Sequence, residues 1–431
     1  MKLLDGDVFA GESLVVDGDL NKGQMTFERA KAKAAKQKGG RVRNFLYFIG
    51  AGLSKALERP GKPIPLMYDF VSVMADYMGR DPTNVILTTL AELERARLYD
   101  WASPEAVQLA DVLVGQRRNL KPIDIARFRR ALRNRPFESI ERLLEKSHSA
   151  PGQSADSAPT RFNYAINRLF CLVGWEVNWP PLRQFLTSQF GLEGTVHRFV
   201  SFNYDLVLDR AVEQAAGADW EAATGYGFTI PYWTLGNEPD NEVHPLPTSL
   251  PRSERVLIVK PNGSLNWLAP LSIPYAADSS GHKVADRGWV VVPLSPDGTL
   301  SYFHSTETFN RMSLPNDEGW DMWPCILPPT SAKASTLSFL RQTREQEERA
   351  IAEADEVYVI GWSMPESDAS QDSLIRSVVK CRSRGIERVT VVNRTASPIY
   401  CARLASVFNV RTSQVRIYNS GFCEFVEESK V

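Results

Sequence analysis

The run Phe45-Leu46-Tyr47-Phe48-Ile49, followed at once by Gly50-Ala51-Gly52-Leu53-Ser54, limits the fold of this chain more than any other stretch. Five successive apolar residues without polar alternation suit a strand buried on both faces, as in a parallel sheet covered by helices on either side. The two glycines that follow admit two readings. One is a phosphate-binding turn, in which backbone N–H groups and the Ser54 hydroxyl approach an anion. The other is a turn kept small only so that the next helix can pack closely on the sheet.

Similar runs recur at Phe199 to Phe202, Val256 to Val259, Trp289 to Val292, Val357 to Ile360, Val389 to Val392 and Val415 to Tyr418. Together they predict an α/β protein with a doubly wound, mostly parallel, Rossmann-like sheet. Residues from about 70 to 190 hold no comparable run. They carry helical spacing instead, as in Phe128, Ala131, Leu132 and in Phe162, Ala165, Ile166, Leu169, Phe170, and this predicts a large helical insertion. The expected organisation is an N-terminal segment over 1–44, a sheet domain over 45–69 and 191–431, and the insertion over 70–190. Ser147 to Thr160, rich in Ser, Pro, Gly and Ala, reads as a loop within the insertion, and Gly236 to Ser253 as a second irregular region.

Composition excludes several function classes. No apolar run approaches the roughly 20 residues that a membrane span requires, and Met1 to Asp7 lack an apolar signal region, so a cytoplasmic protein is expected. The five cysteines (Cys171, Cys325, Cys381, Cys401, Cys423) form no C-x-x-C pair, which speaks against a disulfide framework and against structural zinc. A formal net charge of −1 gives no global case for nucleic acid. Two basic tracts, Lys22 to Arg43 and Arg117 to Arg135, do not interleave aromatics in the way single-strand binders do and read as solvated helix faces, so direct nucleic-acid binding is not expected.

The later runs end in polar residues. Phe202 precedes Asn203-Tyr204-Asp205, Val259 precedes Lys260-Pro261-Asn262-Gly263, Ile360 precedes Gly361-Trp362-Ser363-Met364-Pro365, and Val392 precedes Asn393-Arg394. Ligands of an open parallel sheet bind outside the carboxyl ends of its strands, so these residues are expected to share one rim with Gly50 to Ser54.

This ordered set resembles the sirtuin-like family, in particular its bacterial NAD-consuming branch, over Phe45 to Pro65 and Arg198 to Cys423. By that resemblance, Gly50, Ala51, Gly52 and Ser54 form the NAD phosphate turn, and Pro63-Ile64-Pro65 lies in the flexible cofactor loop. Asn203 faces the nicotinamide ribose and Asp205 helps to hold the carboxamide. Gly361 and Ser363 bind phosphate and ribose, Asn393 binds the adenosine ribose, and Gly421-Phe422-Cys423 lies beside the adenine. Pro328-Pro329-Thr330 is also similar to bacterial members.

Two departures qualify the resemblance. Where the family has a catalytic His-Gly pair, this chain has Asn262-Gly263, and Asn cannot accept a proton at neutral pH. A general base is commonly worth ~10² to 10⁴ in rate. His197 stands six residues before Asn203, roughly 20 Å away along a strand, and reads as structural. The other histidines are His148, His244, His282 and His304, in loops or the insertion. The family's four-cysteine zinc module is also missing, which disfavours protein deacylation and implies a protein without zinc.

The resemblance thus implies an NAD hydrolase releasing nicotinamide and ADP-ribose, with Asn203, Asp205 and Asn262 as catalytic residues, acting as an NAD-depleting effector of anti-phage defence. The alternatives are a non-catalytic NAD or ADP-ribose-binding regulatory subunit, and a deacylase or ADP-ribosyltransferase. The expected partners are further copies of the chain or a defence protein such as an ATPase or nuclease, with no membrane.

Overall fold

In the computed structural model of the protein, the described residues are 41–66, 69–81, 84–95, 104–115, 121–133, 165–166, 168–170, 172, 177–222, 224–228, 232–233, 244–245, 254–270, 290–291, 312–313, 319–320, 322–326, 338–365 and 368–429. Of the unit Met1–Val42 only Arg41 and Val42 are described, both exposed. All that follows concerns the second unit, Arg43–Val431.

Its centre is a sheet of six parallel strands: β1 (Arg43–Ile49), β2 (Thr195–Ser201), β3 (Val256–Val259), then β6 (Glu356–Ile360), β7 (Arg388–Val392) and β8 (Val415–Tyr418). Between these groups run β4 (Gly263–Pro270) and β5 (Met322–Ile326), which belong to a second sheet. The spatial order of the six is β8-β7-β6-β1-β2-β3. Counted within the parallel sheet alone this is the order 3-2-1-4-5-6 of a doubly wound fold, and it reverses between β1 and β6.

The continuous apolar runs follow from this layering. Phe45, Tyr47 and Ile49 of β1 enter one buried cluster while Leu46 and Phe48 enter the other, so period-two alternation persists although every position is apolar. Tyr47 stacks across both neighbours, at 4.5 Å from Phe199 and 5.1 Å from Tyr358. The first face is covered by α1 (Ala51–Ala56), α2 (Phe70–Tyr77), α3 (Val85–Arg95), α4 (Pro104–Gly115), α5 (Pro122–Arg133), α6 (Trp179–Phe190), α7 (Val207–Ala216) and α11 (Phe422–Glu428). The second is covered by α8 (Ser338–Glu353), α9 (Ala369–Lys380) and α10 (Pro398–Val407). Helix α6 shows the local logic. It opens on Pro180-Pro181, which need no N–H donors there, and it buries Leu182, Phe185, Leu186 and Phe190 on one stripe. Phe185 meets Tyr47 edge-on at 6.0 Å.

The described helices α2 to α5 occupy the region predicted to be helical and share the core of the sheet's first face. The loop 147–160 and the motif Pro328 to Thr330 lie outside the described residues, as does nearly all of the basic tract 22–43. In the second tract Arg129 and Arg133 pair with Asp76, while Arg127 and Arg130 are solvated.

One predicted strand is displaced. Of Trp289 to Val292 only Val290–Val291 is described as strand, and it pairs antiparallel with β4 in the second sheet, Val291 opposite Trp267. The chain reaches that sheet because it turns directly after β3: Gly263, at φ 80, donates its N–H to the Lys260 carbonyl at 3.1 Å, and β4 begins there. An apolar run records burial and not the sheet that provides it.

His197 is structural, as its place on β2 implied. It is fully buried and stacked on Phe45, with Nδ1 3.0 Å from the Tyr47 hydroxyl and Nε2 2.9 Å from the Thr195 hydroxyl. Burial, with smaller contributions from Arg255 and Arg198, pushes its pKa down to about 3. The ring is therefore neutral in the fold but gains a proton in the unfolded chain below about pH 6.5. Stability from this site is complete above that pH and is lost as pH falls toward 3, at up to about 1.4 kcal/mol per pH unit. In urea unfolding, His197→Gln should be less stable than wild type at pH 7.5, with the gap narrowing by about 2 kcal/mol at pH 5. A gap constant with pH would contradict this.

Candidate functional site

A cavity of about 360 Å³ opens where the strand order reverses, bounded by the turns after β1 and β6 and by the ends of β2, β3 and β7. Its size suits a small-molecule ligand. Gly50, Ala51, Gly52, Asn203, Asn262, Gly361, Ser363, Asn393 and Phe422 all line it; Ser54, Asp205 and Lys260 do not.

The Gly-rich turn is held differently from a free phosphate cradle. Gly50 donates its N–H to the Ile360 carbonyl and Gly52 to the Gly361 carbonyl, each at 3.0 Å. A Cβ on Gly50 would lie 2.5 Å from the Gly361 oxygen, one on Gly52 2.8 Å from the Gly361 Cα, and one on Gly361 2.2 Å from the Leu53 nitrogen. These three glycines exist so that two backbone turns can touch. Of the two readings of Gly50 and Gly52, close packing accounts for their N–H groups and their missing side chains, and their backbone donors are not available to an anion.

Ser54 and Asp205 also need correcting. Neither lines the cavity. Ser54 is 1% exposed and its Oγ donates to Asp205 Oδ2 at 2.9 Å; Asp205 Oδ1 accepts from the Val207 N–H at 3.0 Å, closing the turn into α7. Both carboxylate oxygens are thus engaged behind the wall, where they can orient a neighbour but do not face a ligand. That neighbour is Asn203, whose Nδ2 donates to Ser54 Oγ at 3.1 Å and to the Gly50 carbonyl at 3.2 Å. With both amide hydrogens occupied, Asn203 is left with Oδ1 as its group for the cavity. Asn262, 8% exposed, donates from Nδ2 to the Phe202 carbonyl at 3.3 Å.

At the far side, Asn393 Oδ1 accepts from the N–H and hydroxyl of Thr395 at 3.1 and 3.0 Å, forming a side-chain turn at the end of β7. Ser363 is exposed, and Phe422 is buried at the start of α11. The segment carrying Pro63 to Pro65 is tied back to α1 and the turn after it: Ile64 donates its N–H to Glu58 at 2.8 Å and its carbonyl accepts from Lys55 at 3.1 Å.

Sequence reasoning placed Arg394 and Trp362 at the strand ends but missed Lys55, Asp368 and the pairing of aromatic rings in the walls. Lys55, paired with Glu58 at 2.6 Å, and Arg394, 3.8 Å from Glu424, are the basic residues of the cavity wall, and the buried Asp368 carboxylate there accepts from Trp362 Nε1 at 2.8 Å. Phe202 and Trp362 stack with ring centroids 4.7 Å apart. Lys55 could have been found as a basic residue one position beyond the glycine motif. The Phe202–Trp362 pair could not, since only the adjacency of β1 with both β2 and β6 brings it together.

Among the described residues no histidine lines the cavity, and no group of His, Cys, Asp and Glu could hold a metal ion. His148, His282 and His304 lie outside the described residues, and His244 sits in a two-residue strand of the second sheet. No described helix is long and apolar enough to cross a membrane.

No protein-family model and no curated protein matches the chain. Among solved structures, a serine-to-alanine mutant of a Sir2 homologue in complex with ADP-ribose matches at 10% identity over 93% of this chain and 94% of its own, with a TM-score of 0.37. A histidine-to-asparagine mutant of a Sir2 homologue, also with ADP-ribose, matches at 11% identity over 93% and 94%, with a TM-score of 0.36. A structure concerning the mechanism and regulation of Sir2 enzymes matches at 11% identity over 93% and 96%, with a TM-score of 0.32. Identity and TM-score are low in each case, and the fold described above rests on strand order and pairing alone.

Proposed function

We propose that the cavity binds NAD across the strand reversal and hydrolyses its nicotinamide–ribose bond, releasing nicotinamide and ADP-ribose. The observation that carries this reading is the pair Asn203 and Asn262 on the floor of a cavity whose walls also offer Lys55 and Arg394. Two amides can hold a ribose hydroxyl and a water, and the two cations suit a pyrophosphate.

The chemistry does not require a titrating base. When the C–N bond breaks, its electron pair returns to the pyridinium nitrogen, so nicotinamide leaves neutral. Positive charge develops on the ribose, water bonds to the anomeric carbon, and its proton passes to solvent. Asn203 Oδ1, fixed as an acceptor, suits a hydroxyl or an attacking water beside that charge. A second reading, a binding-only module, is favoured by one observation: among the described residues no histidine lines the cavity. The resemblance, in which Asn262 stands for the family's histidine, agrees with it. The wider role, depletion of NAD in infected cells, with further copies or a defence ATPase or nuclease as partner, follows from the resemblance.

Neutralising either cation tests the binding half. Lys55→Met and Arg394→Met should each weaken calorimetric NAD affinity by several-fold to ~10-fold, the scale of one partly exposed charge-assisted contact. The loss should shrink in high salt. Unchanged affinity in both variants would remove the pyrophosphate from this wall.

A further inference from the structure

We propose that Lys260, buried beneath the cavity floor, is a positioning residue that fixes which end of the Asn203 amide faces the ligand, acting through the chain Asp205–Ser54–Asn203. The inference rests on the reading of the cavity as an NAD site but concerns a residue that does not line it.

Lys260 stands at the end of β3, fully buried, as is its partner Asp209 on α7. Its Nζ lies 3.1 Å from Asp209 Oδ2 and 3.3 Å from Oδ1, and it donates to the Asp205 backbone carbonyl at 2.7 Å. Asp209 also accepts from the Tyr226 hydroxyl at 2.5 Å, which in turn accepts from Asn266 Nδ2 at 2.9 Å. One cation therefore clamps the turns after β2 and β3 together. A buried ion pair of this kind is weak evidence for stability, because desolvation offsets the attraction, and a role in fixing geometry is a better account of it.

The geometry has a direction. An ionised Asp205 can only accept, so the Ser54 proton points to it; Ser54 Oγ then accepts from Asn203 Nδ2, and Asn203 presents Oδ1 to the cavity. A neutral Asp205 carboxyl could itself donate to Ser54, freeing the Ser54 proton to donate to Asn203, so that either end of the amide could face Ser54 and only the Gly50 carbonyl would still select Nδ2. The charged groups that act on Asp205 are Lys260, which favours its ionised form, and Asp209, which opposes it; the Val207 N–H and the Ser54 hydroxyl favour ionisation. Burial is the largest influence and pushes the carboxyl above its ordinary value. Removing the Lys260 charge therefore moves protonation of Asp205 toward neutral pH.

The test is calorimetric titration of ADP-ribose into wild type, Lys260→Met and Asp205→Asn from pH 5 to 8. Lys260→Met should lose at least ~10-fold more affinity, relative to wild type, at pH 5.5 than at pH 8, and Asp205→Asn should abolish this extra pH dependence when combined with it. Equal weakening at every pH would mean that Lys260 only supports the fold, and would overturn the proposal. If Lys260→Met does not fold, Asp205→Asn alone decides: its amide can donate to Ser54 at every pH, so it should bind ADP-ribose at least ~10-fold more weakly than wild type at pH 8, and affinity equal to wild type there overturns the proposal. A wild type that binds neither ADP-ribose nor NAD would overturn the reading of the site itself, and with it this one.

Discussion

Asn203→Ala is expected to lower NAD turnover by on the order of 10²-fold or more while the chain stays folded. The reason is that Asn203 is held from two sides, by Gly50 and Ser54, so that one oxygen faces the reacting centre. Loss of a single fixed polar group facing developing charge commonly costs 10²- to 10³-fold. The stability cost should be about 1–3 kcal/mol, since removal of the side chain takes one partner from the buried Gly50 carbonyl and one from the buried Ser54 hydroxyl. Asn262→Ala should lower turnover by ~10-fold, with little change in affinity, because it positions and does not titrate. A turnover unchanged in Asn203→Ala, measured by nicotinamide release, would separate the amide from the chemistry.

The second large effect concerns the touching turns. Gly361→Ala would place a Cβ 2.2 Å from the Leu53 nitrogen and 2.5 Å from the Gly52 carbonyl carbon, at a residue whose φ is 63. Both neighbours are backbone and cannot swing aside. Overpacking of 1–3 kcal/mol and a left-handed penalty of roughly 1–2 kcal/mol then add to about 3 kcal/mol or more. Gly79→Ala, with nothing within 4 Å, should change stability by less than about 0.5 kcal/mol. Comparable urea midpoints for the two variants would contradict the backbone contact. For the same reason Gly52→Val is a poor probe of phosphate binding: its first effect is on packing, with a Cβ 2.8 Å from the Gly361 oxygen.

Much of this architecture could be read from the sequence. Runs such as Phe45 to Ile49 and Val357 to Ile360 are apolar throughout because both faces of the sheet are covered, and that property survives without coordinates. The convergence of Gly50, Asn203, Asn262, Gly361 and Asn393 followed from one rule about strand ends. What could not be read was direction. Sequence places Asp205 two residues beyond Asn203, but only the fold shows its carboxylate turned to Ser54 and Val207, away from the cavity. Sequence likewise shows glycines at positions 50 and 52 without revealing that their N–H groups are spent on the neighbouring turn. Lys260 closes a fully apolar strand, and its partner Asp209 lies far away in sequence on α7, so the buried pair had no local signal.

The most direct test of the account is to incubate the purified full chain with NAD and to identify the products by mass spectrometry, with calorimetry on the same preparation. The account predicts nicotinamide and ADP-ribose in equal amounts, formed by wild type and suppressed in Asn203→Ala. NAD recovered intact, although it binds, would contradict hydrolysis and leave the binding module; NAD recovered intact with no heat of binding would contradict the site.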